Sequence, residues 1–144
     1  MSLDASTLQH LRTTVWPALE QGMGLPAGIL NAVATWETRG AFSDLTSRAG
    51  ARGIFQLTPV ALQQVRQDYG LDADPSNPYA ASSAAAALLA RYARLFGGQP
   101  SLMLAAYNAG EGTIKRFIRS VAAQGSGTLP RETINYVTNT ISLL

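Results

Sequence analysis

Apolar residues recur along this chain at intervals of three and four, the spacing that lines up side chains on one face of an α-helix. Residues 4–22 place Leu8, Leu11, Val15 and Leu19 in such a stripe, with Pro17 inside it as an expected kink or break. Pro26 suits the first turn of a second helix running to Gly40 and burying Ile29, Leu30, Val33 and Trp36. No helical period is legible over 41–57, where Gly50 and Gly53 stand among Ser, Thr and Asp, so a loop or small irregular hairpin is expected there. Thr58-Pro59 reads as the N-cap and first-turn proline of a helix closed by Gly70. The stretch 71–79, with Asp72, Asp74, Pro75, Asn77 and Pro78, reads as a turn-rich connection. Ala80 to Phe96 is alanine-rich, yet Leu88, Leu89, Tyr92, Leu95 and Phe96 supply an apolar face. That favours a helix admitting close neighbours over low-complexity coil. Helices over 100–109, 111–123 and 130–142 follow, separated at Gly110 and at Gly125-Ser126-Gly127. The pattern predicts a mainly α fold: a single compact helical domain over 1–144, with a small irregular segment beside Glu37.

Composition narrows the function. Charged residues make up only 14% of the chain, against about 25% in an average domain, which suits a neutral polar ligand such as a glycan better than nucleic acid. The net charge of +2 comes from residues 111–144, where Lys115, Arg116, Arg119 and Arg131 face Glu111 and Glu132. Such an excess could favour an anionic polymer, or be an ordinary solvated helix face. The chain has no cysteine, which removes disulfides and thiolate metal sites. Its single histidine, His10, lies on an amphipathic helix with no nucleophile elbow nearby, so neither a histidine-based metal site nor a Ser-His triad is expected. No metal and no cofactor are called for. The N-terminus Met1-Ser2-Leu3-Asp4-Ala5-Ser6 lacks the basic and apolar regions of a secretory signal, and no apolar run approaches the ~18 residues of a membrane span.

The candidate chemistry centres on Glu37, placed in the last turn of its helix after Leu30-Asn31-Ala32-Val33-Ala34-Thr35-Trp36. A carboxyl group among aromatic and aliphatic surface, at the negative end of a helix dipole, is disfavoured as an anion. Its pKa should rise, as a proton donor working near neutrality requires. Asp44 is the nearest other acid and reads as a loop cap. Taken singly, other polar residues have bland readings. Ser47 caps a loop, Tyr107 is a core ring with a wet hydroxyl, Asn108 and Gly110 end a helix, and Glu132 is a favourable charge at a helix start.

Four segments change that weighting: Glu37-Thr38; Ser47-x-x-Gly50-Ala51-x-Gly53-Ile54-Phe55-Gln56-Leu57-x-Pro59; Ala105-Ala106-Tyr107-Asn108-Ala109-Gly110; and Glu132-Thr133-x-x-Tyr136-Val137. In this order the chain resembles the catalytic domain of lytic transglycosylases of the soluble type, within the lysozyme-like superfamily, over roughly 22–137. The resemblance implies an α+β lysozyme-like fold and action on peptidoglycan strands between N-acetylmuramic acid and N-acetylglucosamine. It makes Glu37 the acid that protonates the glycosidic oxygen. The muramic acid 6-hydroxyl then attacks, with Glu37 as base, and leaves a 1,6-anhydro ring. The second carboxylate usual in glycosidases can be spared, because the substrate's acetamido group and hydroxyl do its work. Ser47, Phe55, Gln56, Tyr107, Asn108, Glu132 and Tyr136 become substrate-binding or wall residues. Two departures are Thr38 for the usual serine and Phe55 for the usual methionine of the glycan groove. Two rival readings remain: a goose-type lysozyme that uses water, and a wall-binding structural module. The expected setting is the periplasm or cell wall, as a monomer without membrane insertion. Delivery by a phage virion, a secretion apparatus, or a signal since trimmed would fit that setting.

Overall fold

The computed structural model of the protein describes residues 3–43, 46–47 and 50–144. Helices are α1 (Ala5–His10), α2 (Trp16–Met23), α3 (Ile29–Thr38), α4 (Pro59–Tyr69), α5 (Pro78–Leu95), α6 (Pro100–Ala109), α7 (Glu111–Gln124) and α8 (Arg131–Ile141). Among the described residues there is no named strand. The irregular segment contributes only isolated antiparallel bridges, Thr46 with Arg52 and Arg52 with Leu57.

The expected break at Pro17 does not occur. A π-helical turn, Leu11–Val15, joins α1 to α2, and the Trp16 amide reaches back five residues to the Leu11 carbonyl. Proline has no N–H to give the carbonyl four residues back and crowds it sterically; widening the turn just ahead relieves both. The second helix starts later than Pro26. Residues 26–28 form a turn, and a side chain from α2 takes the helix start instead. Glu20, buried at 5% exposure, accepts from the Gly28 amide at 3.1 Å and the Leu30 amide at 2.9 Å. A carboxylate at a helix N-terminus satisfies orphan amides and meets the positive end of the dipole.

Helix α5 runs through the core. Ala81, Ala84, Ala85, Ala86 and Ala87 are buried, and α2, α3, α4 and α6 pack around it. Methyl-sized side chains allow these helices to approach closely. Trp16 is buried against this assembly, donating its indole N–H to Ser82 Oγ at 2.8 Å and meeting Phe55 edge-on at 5.7 Å. Leu95, assigned to the apolar face, is instead 40% exposed, while Phe96 is buried. Helix α6 carries α7 and α8 on its outer side. Arg91 of α5 braces this region, meeting Asp68 of α4 at 2.8 Å and Glu111 at the start of α7 at 2.7 Å.

The irregular segment is anchored at Gly53, whose φ is +77°. A Cβ there would lie 1.9 Å from the Pro75 carbonyl oxygen, so only glycine permits the loop to dock on the 74–77 turn. Gln56, also left-handed at φ 49°, donates from its backbone and side-chain amides to the Gly53 carbonyl.

Candidate active site

Helix α3 delivers Glu37 in its final turn and then stops sharply. Arg39 and Gly40 both take left-handed backbone, at φ 53° and 79°, and the Gly40 amide closes on the Thr35 carbonyl at 2.8 Å. Thr38 is buried. Its Oγ1 donates to the Ala34 carbonyl at 2.8 Å and accepts from the Phe42 amide at 2.9 Å. That pair fixes where the chain leaves the helix, and so fixes the rim beside Glu37.

Opposite stands α8. The Tyr136 hydroxyl donates to Glu37 Oε2 at 2.9 Å, across 99 residues of sequence. Helix α8 presents Glu132, Tyr136 and Asn139 at spacings of four and three, which is one helical face, and Leu143 follows in the turn past its end. With Trp36, Glu37, Arg39 and Asn108 they line an open cleft of about 830 Å³. Thr133 Oγ1 donates to Asn108 Oδ1 at 2.8 Å, joining α8 to the end of α6. One residue earlier, the Tyr107 hydroxyl donates to the Phe55 carbonyl at 2.6 Å, joining α6 to the irregular segment.

The acidity of Glu37 follows from this placement. Burial pushes its pKa from 4.5 up to about 7; the Tyr136 hydrogen bond opposes that rise and the nearby charge of Glu132 adds to it. Burial, reinforced by the charge of Glu37, also holds the Tyr107 and Tyr136 phenols well above their ordinary value, so both remain donors. Near neutrality the site therefore holds a carboxyl group able to give a proton and, once ionised, to take one back.

The cleft brings together Glu37, Asn108, Glu132 and Tyr136 of the residues expected from sequence. The other four stand elsewhere. Phe55 is a correction: its ring has no exposed surface and packs on Trp16, so it offers no face to a sugar, and its carbonyl accepts from the Tyr107 hydroxyl. Tyr107 and Gln56 do not line the cleft; the Tyr107 hydroxyl donates to the Phe55 carbonyl and the Gln56 side-chain amide to the Gly53 carbonyl. Ser47 is exposed, and its hydroxyl accepts from the Ala51 amide at 3.2 Å, closing a turn. Asp44 lies outside the described residues. Trp36 reverses the sequence expectation, being 39% exposed in the cleft and edge-on to Tyr136 at 6.5 Å. Trp36 and Arg39 flank the acid in sequence, and Asn139 continues the face of Tyr136; these are the signals that could have found them.

The model of the transglycosylase SLT domain family matches residues 14–129. The chain belongs to this family. The match stops short of Glu132 and Tyr136, so their membership of the site rests on the geometry above. A curated relative, membrane-bound lytic murein transglycosylase D of Escherichia coli K12, is 35% identical over 109 residues, covering 68% of this chain and 23% of its own. Lytic transglycosylase Slt of Pseudomonas aeruginosa, solved as an inactive mutant, superposes with a TM-score of 0.73 at 24% identity, covering 89% of this chain and 22% of its own. The 70-kDa soluble lytic transglycosylase solved with bulgecin A gives 0.77 at 20% identity over the same shares. These structures establish that the SLT domain described here shares a fold with one segment of those enzymes, and that the lysozyme-like expectation holds. The chain spans less than a quarter of the length of these relatives. Among the described residues, no helix is long and apolar enough to cross a membrane.

Proposed function

We propose that this SLT domain is a peptidoglycan lytic transglycosylase acting through Glu37, as a single domain over residues 1–144. The observation that carries the reading is a desolvated carboxyl, raised to about 7 and held by Tyr136, in an open cleft of about 830 Å³. Glu37 protonates the oxygen between N-acetylmuramic acid and N-acetylglucosamine. Positive charge grows at the anomeric carbon, the C–O bond breaks, and the ionised Glu37 accepts the proton of the muramic acid 6-hydroxyl as that oxygen closes the 1,6-anhydro ring. Atoms balance without water. Asn108 and Trp36 contact the glycan. Tyr107, Gln56 and Phe55 support the wall behind it, and Ser47 holds the adjoining turn. Action on the cell wall as a monomer, brought by a virion or a secretion apparatus, belongs to the same proposal; size-exclusion chromatography tests the monomer. Mass spectrometry of digested peptidoglycan tests the chemistry, and anhydro-muropeptides are the expected product.

One observation favours a second reading. Glu132 shares the cleft with Glu37 and is solvent-exposed, a second carboxyl of the kind that hydrolytic glycosidases set against water. On that hydrolytic reading the digest contains reducing muramic acid and Glu132→Gln abolishes turnover. On the transglycosylase reading Glu132→Gln only lowers the pKa of Glu37, by removing a like charge.

A further inference from the structure

The surplus of positive charge and much of the exposed aliphatic surface fall on one face of the domain, away from the cleft. Helices α7 and α8 both pack on α6, and the groove of about 260 Å³ beside them is lined by Leu102 and Ala105 of α6, Phe117 of α7, Leu129, and Ile134 and Val137 of α8. Its apolar walls run on along both helices. On α7 the stripe Ile114, Phe117, Ile118 and Val121 starts buried and ends 41% exposed, and Ile114 is the one buried residue of the helix. On α8, Ile134 and Ile141 stand on either side of Val137 at 47% and 38% exposure. The charges around this surface are of one sign. Residues 112–131 hold Lys115, Arg116, Arg119 and Arg131 and no acid, and residues 133–144 hold no charged side chain. The acids that bracket these cations are engaged elsewhere: Glu111 pairs with Arg91 and Lys115, and Glu132 lines the cleft. Arg119 and Arg131 make no ion pair among the described residues. Arg119 directly follows Ile118, and Arg131 stands one turn before Ile134 on its side of α8.

Charge and shape select what covers such a face. A second copy of the chain would set these cations against themselves. A small ligand would find too little enclosure, since the groove is smaller than the ~300 Å³ at which such sites begin. A partner helix needs a row of anchor sites at fixed spacing, whereas here one small groove gives way to separate aliphatic side chains. A fluid anionic surface needs no such match. Aliphatic side chains enter its acyl boundary, while long cationic side chains lay their stems along it and reach the phosphates. We infer that the α7–α8 face docks on the surface of a bilayer containing anionic lipid, with Ile118, Val121, Ile134 and Ile141 at the acyl boundary and Arg119 and Arg131 at the headgroup phosphates. The cleft stays clear of the lipid, because Glu132, Tyr136 and Asn139 lie about half a turn around α8 from Ile134, Val137 and Ile141. The inference uses no residue of the cleft and stands whether or not Glu37 is a transglycosylase acid.

The test is co-sedimentation with phosphatidylcholine vesicles containing one-third phosphatidylglycerol, set against vesicles of phosphatidylcholine alone. The protein should bind the anionic vesicles at low salt, lose them as salt rises, and leave the neutral vesicles nearly untouched. Arg119→Gln combined with Arg131→Gln should weaken binding about thirtyfold, from the loss of two cations at the surface. Ile118→Ser combined with Ile134→Ser should weaken it at least about tenfold. Arg52→Gln combined with Arg66→Gln removes as much charge from other elements and should leave binding unchanged. A second readout needs no weakened variant. The chain has no cysteine, so Ala122→Cys on α7 can carry a polarity-sensitive dye, with Val60→Cys on α4 as its control. Vesicles should shift the emission at residue 122 to the blue and leave that at residue 60 in place. This dye pair decides the matter even where a double variant melts below the parent. Failure to bind anionic vesicles, an equal loss from the two arginine pairs, or an equal shift at the two dyes overturns the inference. A concentration-dependent dimer in analytical ultracentrifugation, without vesicle binding, would assign the face to a second copy and overturn it as well.

Discussion

Replacing Glu37 by Gln should stabilise the protein in neutral buffer while stopping its chemistry. The carboxyl's pKa is 4.5 when solvated and about 7 in the folded protein. An acid with a raised folded pKa favours folding most below its unfolded value. That advantage is lost as pH rises toward the folded value, because ionisation must then take place in the desolvated cleft. At 1.36 kcal/mol per pH unit, the gap between 4.5 and about 7 amounts to a penalty of about 3 kcal/mol, fully developed above neutrality. Gln cannot ionise, and its carbonyl can still accept from Tyr136. The variant should therefore gain on wild type between pH 4.5 and 7 and hold a constant advantage beyond. For a domain of this size 1 kcal/mol is about 3 °C, so the melting curves should separate by about 10 °C at pH 8 relative to their separation at pH 4. Paired calorimetric melts across that range read the effect directly. A difference flat with pH, or one that moves toward wild type as pH rises, would refute desolvation as the state of Glu37. Near-native wall cleavage by the variant would remove it from the mechanism, since loss of a general acid costs at least about a hundredfold.

Other expectations follow from the same contacts. Tyr136→Phe keeps the ring against Trp36 but removes the donor that favours the Glu37 anion, so the alkaline limb of the pH–rate profile should move up by about one pH unit. Tyr107→Phe leaves the Phe55 carbonyl without its donor and should cost about 1–2 kcal/mol in a urea melt, with the larger effect on stability and the smaller on turnover. Glu20→Ala strips the start of α3 of both its side-chain acceptors and should cost about 3 kcal/mol, a loss that Glu20→Gln recovers in part.

Much of the fold can be read from local chemistry. Thr58-Pro59 and Gly70 bound α4 as their capping preferences require, and the prolines and glycines elsewhere mark helix ends to within a few residues. What was not legible depends on partners distant in sequence. Nothing near Pro26 announces that Glu20, from another helix, caps α3 in its place. Pro17 carries a local signal for a break, but the chain absorbs it in a π turn because Leu11 and Trp16 on either side are both buried. The acid itself was legible, since an apolar run ending in Glu is a local pattern. Its neighbours were harder to place. Phe55 and Trp36 look equally suited to a groove, and only the packing of Trp16 against Phe55 and of Tyr136 against Trp36 sends one inward and leaves the other exposed.

The long sequence separation between Glu37 and Tyr136 has a consequence for how the protein comes into being. The ribosome completes α3 well before it makes α8, and until α8 docks on α3 and α6 the carboxyl lacks the wall that desolvates it. A nascent chain thus carries an ordinary, ionised glutamate with no proton to donate near neutrality. On the proposed mechanism the acid is armed only when α8 docks, so catalytic competence would report that docking. Lesions that loosen α8, none of them touching Glu37 or its helix, should silence the protein as surely as removing the acid.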